Sequence, residues 1–235
     1  MQDQHIVSSF DQELDALNQA IARLGGLAEQ QLAATITATE SRETSALSAI
    51  IEKDQQLDQL EFEINEKAIE IIATRGPMAT DLRRIISALK IAAVLERVGD
   101  LSKNIAKRTL VIIEKDAENN SDVSIRRIAE TVQQMLHQVL DAYATGDAKL
   151  AMDVWDRDLE VDQMHNSLFG ELLENIAQQK ASPIVSSHYL FIAKNLERIG
   201  DHTTNIAEQV YYLVHGAFPT DERPKADLAQ SPDID

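Results

Sequence analysis

The chain has 235 residues, of which 44% are apolar and 4% aromatic, and its formal net charge at pH 7 is −17. This apolar share can build a packed core, which excludes an intrinsically disordered acidic protein. The negative charge repels phosphate backbones and predicts no nucleic-acid partner; it favours cations or a basic protein partner. The absence of cysteine excludes disulfides and thiolate chemistry, and it fits a reducing cytoplasm.

The N-terminal segment MQDQHIVSSF lacks the cationic start and the apolar run of a signal peptide. No apolar stretch approaches the roughly 20 residues that span a bilayer. We therefore expect a soluble, cytoplasmic protein that reaches a membrane only through its partners.

Helical periodicity runs through most of the chain. In the first half it predicts a helix that begins near Ser8 or Ser9 and is kinked by the glycine pair at 25–26. A second helix is predicted over about 45–74, ended by the Gly-Pro pair at 76–77, and a third over about 78–115.

The segment DAENNSDVS at 116–124 is a break by composition, and three more helices are predicted after it. They cover about 124–143, 148–179 and 183–215, with Gly216 as the C-cap of the last. The predicted fold is all-α: two tandem antiparallel three-helix bundles, related by an internal repeat and built from six long helices. The predicted domains are residues 1–117, residues 118–216 and a flexible C-terminal tail of residues 217–235.

One sequence motif occurs twice: LERVGDLSKNIA at 95–106 and LERIGDHTTNIA at 196–207 have identical residues at eight of twelve positions. Each copy places a Glu and an Asp four residues apart, Glu96 with Asp100 and Glu197 with Asp201, on one helical face. The glycine before each Asp costs about 1 kcal/mol in a helix interior relative to Ala. It therefore predicts a close approach by another helix, or room for a ligand.

Upstream, DQQLDQLE at 54–61 and DLEVDQMH at 158–165 place acidic residues or His at i, i+4 and i+7. Like charges on one face repel, and a bound cation would reverse the sign of that interaction. Carboxylates suit Mg or Ca, and an imidazole suits Fe, Ni or Zn, so we predict a divalent or trivalent metal ion of uncertain identity. The candidate ligands are Asp54, Asp58, Glu61, Glu96, Asp100, Asp158, Asp162, His165, Glu197, Asp201 and Glu208.

Two other readings of the acidic residues stay open. They could form a structural polar cluster paired with Arg97 and Arg198, or an acidic patch that faces a partner.

The two halves are not expected to bind metal equally. Thr204 and Glu208 in the second half correspond to Lys103 and Lys107 in the first. These lysines can neutralise the first acidic pair without metal, so we expect the second half to hold metal more firmly.

No phosphate-binding glycine loop, nucleophile elbow or HExxH zinc motif is present. Nothing assembles a nucleophile, a base and an oxyanion donor, so no enzymatic activity is predicted. A carboxylate-bridged metalloenzyme in a helical bundle and a metal-free helical scaffold remain as alternatives.

The phrases GGLAEQQL (25–32), RGPMATDLRRI (75–85), LERVGD (95–100) and LERIGDHTTNIAE (196–208) resemble the PhoU family of bacterial phosphate-uptake regulators. The resemblance implies a homodimer of paired three-helix bundles whose acidic motifs bind iron, zinc or nickel. It implies a non-enzymatic negative regulator of phosphate uptake and of the phosphate-starvation response. Such a protein links the ATPase subunit of the phosphate ABC transporter to a membrane sensor histidine kinase.

Overall fold

A computed structural model describes residues 2–115, 122–221, 223, 225 and 226, and within these ranges the regular structure is helical throughout. Of the predicted break at 116–124, residues 116–121 lie outside the described residues, and residues 122–124 belong to a helix. None of the described helices is long and apolar enough to cross a membrane. The helices are α1 (Gln2–Ser41), α2 (Thr44–Lys53), α3 (Gln55–Arg75), α4 (Ala79–Glu114), α5 (Asp122–Thr145), α6 (Ala148–Ala177) and α7 (Pro183–His215).

The six predicted helices are confirmed, and the one predicted over 45–74 is divided at Asp54 into α2 and α3. Asp54 keeps right-handed helical angles (φ −54°, ψ −33°). The N–H of Leu57 donates to the Asp54 carbonyl at 3.0 Å, three residues back instead of four. This tighter turn separates α2 from α3 without a loop, so the two helices together fill the place of one.

The start of α1 also differs from the prediction, because the helix extends beyond Ser8 and Ser9 to Gln2. The predicted helix ends are confirmed elsewhere. Gly76 and Gly216 adopt left-handed angles (φ 56° and 77°) as C-caps of α3 and α7, and Pro183 opens α7.

The architecture is two three-helix groups, with α2 and α3 counted as one, and it confirms the predicted fold class. The first group is α1, α2–α3 and α4; the second is α5, α6 and α7. Across the groups α4 packs on α7 and α1 packs on α5. One continuous core joins them, with Leu24, Leu95, Trp155 and Leu196 among its buried side chains. The two halves therefore share one hydrophobic interior instead of folding around two separate ones.

The glycine pair at 25–26 does not interrupt α1, which runs on to Ser41. A Cβ placed on Gly25 would lie 2.6 Å from Cδ2 of Leu140 in α5, whereas a Cβ on Gly26 would meet nothing within 4 Å. Gly25 thus permits the close approach of α1 and α5 across the two halves.

We expect Gly26→Ala to stabilise the protein by about 0.5–1 kcal/mol, because alanine is the better helix former. Gly25→Ala gains the same helix propensity but overpacks the contact with Leu140, which typically costs about 1–3 kcal/mol. Urea unfolding followed by circular dichroism should therefore rank Gly25→Ala below Gly26→Ala by at least about 1 kcal/mol. Equal stabilisation by the two substitutions would contradict this account of the α1–α5 contact.

Candidate carboxylate clusters in the two halves

The first carboxylate cluster consists of Asp54, Asp58, Glu96 and Asp100, at the junction of α2 and α3 and on the facing part of α4. Gly99 lets these elements meet, since a Cβ there would lie 2.5 Å from Cδ1 of Leu57 and 3.7 Å from Oδ1 of Asp54. The close approach predicted for this glycine is confirmed.

Lys103 supplies the counter-charge of the first cluster. Its ammonium donates to Oδ2 of Asp54 and to Oδ1 of Asp100. Gln31 in α1 donates to the other Asp54 oxygen at 3.0 Å and to the Gly99 carbonyl at 3.0 Å. The carboxylate of Asp54, which is only 4% exposed, is therefore satisfied entirely by the protein.

Glu96 and Asp100 of the first cluster have pKa values shifted in opposite directions. Burial, together with the charge of Asp100, raises the pKa of Glu96 to about 7. Burial would also raise the pKa of Asp100, but the hydrogen bond and charge of Lys103 outweigh it and hold that pKa below its usual value. Lys103 thus neutralises Asp100 as predicted, and its second partner is Asp54. Lys107 is exposed.

Two predicted ligands of the first half lie toward the solvent. Asp58 is exposed, and its charge reaches the cluster as a contribution to the raised pKa of Glu96. Glu61 is half-buried and accepts a hydrogen bond from Asn65 at 2.5 Å.

The second carboxylate cluster consists of Asp158 and Asp162 on α6 and Asp201 on α7. Asp158 and Asp162 are buried, with 1% and 9% exposure. A Cβ on Gly200 would lie 3.0 Å from Oδ1 of Asp158 and 3.4 Å from Cγ1 of Val161. This glycine therefore plays the same part as Gly99, because it lets α7 approach the carboxylate of the facing helix.

The counter-charge of the second cluster comes from the C-terminal segment, which the sequence predicts to be a flexible tail. Arg223 donates to Oδ1 of Asp201 and to the Thr204 hydroxyl, and its Nε lies 3.6 Å from Oδ2 of Asp158. Lys225 lies 3.5 Å from the same Asp201 oxygen. Arg223 was missed because 22 residues separate it from Asp201 in the sequence and no periodicity links the two.

Among the residues that the structure describes, none donates a hydrogen bond to either oxygen of Asp158. Burial is the main reason that the pKa of Asp158 rises to about 7, with the charge of Arg223 opposing it and those of Asp162 and Asp201 adding to it. A buried carboxylate without hydrogen-bond donors is costly. The second cluster therefore has oxygen atoms to offer to a cation, and the first has its Asp54 oxygens already in use.

Three predicted ligands of the second half lie apart from its cluster. Glu197 is buried on α7, one turn before Asp201, with the ammonium of Lys194 2.7 Å from its Oε2 but outside hydrogen-bonding geometry. Glu208 accepts a hydrogen bond from the Trp155 indole at 3.2 Å. His165 is half-buried, and its ring centroid lies 6.4 Å from that of Phe169.

In the part of the chain that the structure describes, no three His, Asp or Glu side chains are already grouped to hold a metal ion. The donor chemistry of the second cluster nevertheless fits a hard cation, since the charges of Asp162 and Asp201 both act on Asp158, whose two oxygens accept no hydrogen bond from a described residue. The first cluster fits less well, because an ammonium group lies between two of its carboxylates.

Comparison with known proteins gives a consistent result. The PhoU domain family matches residues 21–109 and 125–210. A phosphate-specific transport system accessory protein PhoU homolog from Caulobacter vibrioides is 45% identical over 225 residues, covering 96% of this chain and 98% of that protein. The homolog from Rhizobium meliloti is 43% identical over 227 residues, with 97% and 96% coverage. The crystal structure of PhoU from Pseudomonas aeruginosa superposes with a TM-score of 0.86 at 35% identity, covering 88% of this chain and all of that one.

We expect Lys103→Met to destabilise the fold by about 2–3 kcal/mol at pH 7, because it leaves the buried Asp54 carboxylate without its counter-charge. The expected loss of stability is smaller than for a fully buried ion pair, since the Lys103 side chain is 21% exposed. Lys107→Met, at an exposed position, should stay within about 0.5 kcal/mol of the parent.

A double-mutant cycle tests the cause of that loss. When Asp54→Asn is already present, Lys103→Met should cost less, because no buried charge is then left unpaired. Chemical unfolding of the four proteins measures the coupling. A coupling energy near zero would contradict a stabilising Asp54–Lys103 pair.

Proposed function

The chain belongs to the PhoU domain family, and from that membership we propose that it is a negative regulator of phosphate uptake and of the phosphate-starvation response. It would act as an adaptor between the ATPase subunit of the phosphate ABC transporter and a membrane sensor histidine kinase. The observation that carries the proposal is the match to relatives named as accessory proteins of phosphate-specific transport, which spans nearly the full length of both chains.

An adaptor works through its surface, and α3 offers a suitable one. Phe62 and Ile69 are both 57% exposed and lie seven residues, or about two turns, apart on one face of the helix. Exposed apolar side chains at this spacing are typical of a helix face that docks against a partner. The net charge of −17 would steer the protein toward basic surfaces on those partners. In a homodimer, this face of α3 would also suit contact with a second copy of the chain.

No enzymatic role is proposed, because the relatives are named as accessory proteins. A carboxylate-bridged metalloenzyme would need an open coordination position for a substrate in addition to its carboxylate ligands.

We also propose that the second carboxylate cluster binds a divalent or trivalent cation, and does so more firmly than the first. Asp158, Asp162 and Asp201 would supply oxygen ligands from α6 and α7. When bound, the cation would offset the repulsion among these carboxylates and join the two helices. The unpartnered oxygens of Asp158 support this choice of half.

The regulatory proposal is tested by deleting the gene in its host and measuring phosphate uptake and phosphatase expression in high phosphate. Both should rise, and the parent gene should restore repression. A gene carrying Phe62→Ser and Ile69→Ser should restore it poorly, because the apolar face of α3 is lost, whereas exposed Glu70→Ser on the same helix should restore it fully. Unchanged uptake and unchanged phosphatase in the deletion strain would refute the regulatory role.

The metal proposal is tested by titrating the purified protein with Mn²⁺ and measuring the concentration of free Mn²⁺ by its electron paramagnetic resonance signal. Asp201→Ala should weaken binding at least about tenfold, because it removes a ligand from the better site. Asp100→Ala should change binding less than about threefold, since Lys103 already occupies that carboxylate. Equal losses in the two variants would contradict the difference between the halves.

A further inference from the structure

The described residues of the C-terminal segment do not project freely from the bundle. After Gly216 the chain turns, and the ring of Phe218 stacks on that of Tyr212 with centroids 4.5 Å apart. Two cations of α4 flank these rings: Lys90 lies 5.4 Å from the Phe218 centroid and Arg83 lies 5.3 Å from that of Tyr212. The segment is therefore held at its beginning by the aromatic pair and by the first half of the molecule.

The segment is held a second time at the second carboxylate cluster. Arg223, whose side chain is 14% exposed, contacts Asp201, Asp158 and the hydroxyl of Thr204. Three residues later, the N–H of Ala226 donates to Oδ2 of Asp162 at 3.2 Å, and its carbonyl accepts from Asn166 at 2.7 Å. All three acids of the cluster thus contact the tail.

The guanidinium lies among the same carboxylates that a cation would use, but it serves them unequally. It donates to Asp201, while it approaches Asp158 only to 3.6 Å, and neither Asp158 oxygen accepts a hydrogen bond from any residue that the structure describes. The donors of a guanidinium have fixed directions, and here they reach the carboxylate of α7 but not that of α6, whereas a small cation accepts oxygen ligands from several directions. A metal ion could therefore compensate the Asp158 carboxylate more completely than the docked Arg223 does.

The two halves differ in how their counter-charge is attached. In the first half it is Lys103, an integral residue of α4, whose backbone is fixed beside the cluster by the helix. The corresponding residue of the second half is Thr204, whose hydroxyl accepts a hydrogen bond from Arg223, a residue beyond the last helix. In the sequence a proline follows Arg223. It restricts residue 223 to extended backbone and lowers the entropy lost on docking.

We propose that the described part of the C-terminal segment, residues 217–221, 223, 225 and 226, belongs to a detachable strap, in which Arg223 is the resident counter-ion of the second cluster and a metal ion and the docked strap exclude each other. This inference rests on the proposed metal site of the second half. Cation binding would release the strap from α6 and α7 and uncover the acidic face beneath it. The protein would then present different surfaces to its partners in the two states.

The test uses the full chain and Mn²⁺ alone as the probe. Arg223→Gln removes the competing charge, Lys180→Gln removes a positive charge at an exposed position after α6 and is the control, and Arg223→Lys tests whether a cation there is sufficient. Hydrogen–deuterium exchange of the peptide containing Ala226 reports docking, because its N–H is bonded to Asp162. Mn²⁺ affinity reports competition.

We expect Arg223→Gln to bind Mn²⁺ at least about tenfold more tightly than the parent, and Lys180→Gln to differ by no more than about threefold. Arg223→Lys should fall between the parent and Arg223→Gln. Without metal, exchange of the C-terminal peptide should be faster in Arg223→Gln and in Asp201→Asn, which breaks the same contact from the other side. Saturating Mn²⁺ should bring the parent to that faster exchange.

Three outcomes would overturn the strap. They are Mn²⁺ affinity unchanged or weaker in Arg223→Gln, C-terminal exchange unaltered by saturating Mn²⁺, and slow exchange retained in both Arg223→Gln and Asp201→Asn. If the parent binds Mn²⁺ and any of these is seen, the strap fails while the metal site stands. If no variant binds Mn²⁺, the proposed metal site fails and the competition fails with it.

Discussion

The packing of the helices depends on which cationic side chains compensate the carboxylates buried between them. Asp54 and Asp158 each lie at 4% exposure or less against a glycine of the facing helix. A carboxylate in such a place is costly unless a cation or hydrogen-bond donors compensate it. Lys103 and Gln31 compensate Asp54 fully, whereas Arg223 compensates Asp158 only in part. The helix packing at both sites is therefore tied to the cation that each site receives.

This difference separates the roles of two halves that share a sequence phrase and a helix arrangement. In the first half the counter-charge is part of α4, so its cluster behaves as an internal polar contact that joins α1, the α2–α3 junction and α4. In the second half the counter-charge lies in a segment beyond the last helix. An element attached by a few contacts near the surface can detach at a lower free-energy cost than a helix can unfold, and a regulator can use such an equilibrium.

Much of the fold could be predicted from the sequence, because local chemistry determines it. The glycines at 76 and 216 end their helices by adopting left-handed angles, and the helical glycines at 99 and 200 stand where another helix comes close. The division at Asp54 could not be predicted, since this residue keeps helical angles and only the hydrogen-bond spacing changes. Likewise, Glu208 is a predicted metal ligand on the same helix as Asp201, yet it accepts its hydrogen bond from Trp155 on another helix.

The sequence by itself determined an all-helical chain with two similar halves, and it determined which acids share a helical face, because periodicity of 3.6 residues and capping chemistry are local properties. It also indicated that lysine replaces threonine at position 103 of the first half. Only the tertiary structure decided that the lysine reaches Asp54 as well as Asp100, and that Arg223 returns to Asp158 and Asp201. Such contacts join residues far apart in the chain, and they form only when packing brings the helices and the C-terminal segment together.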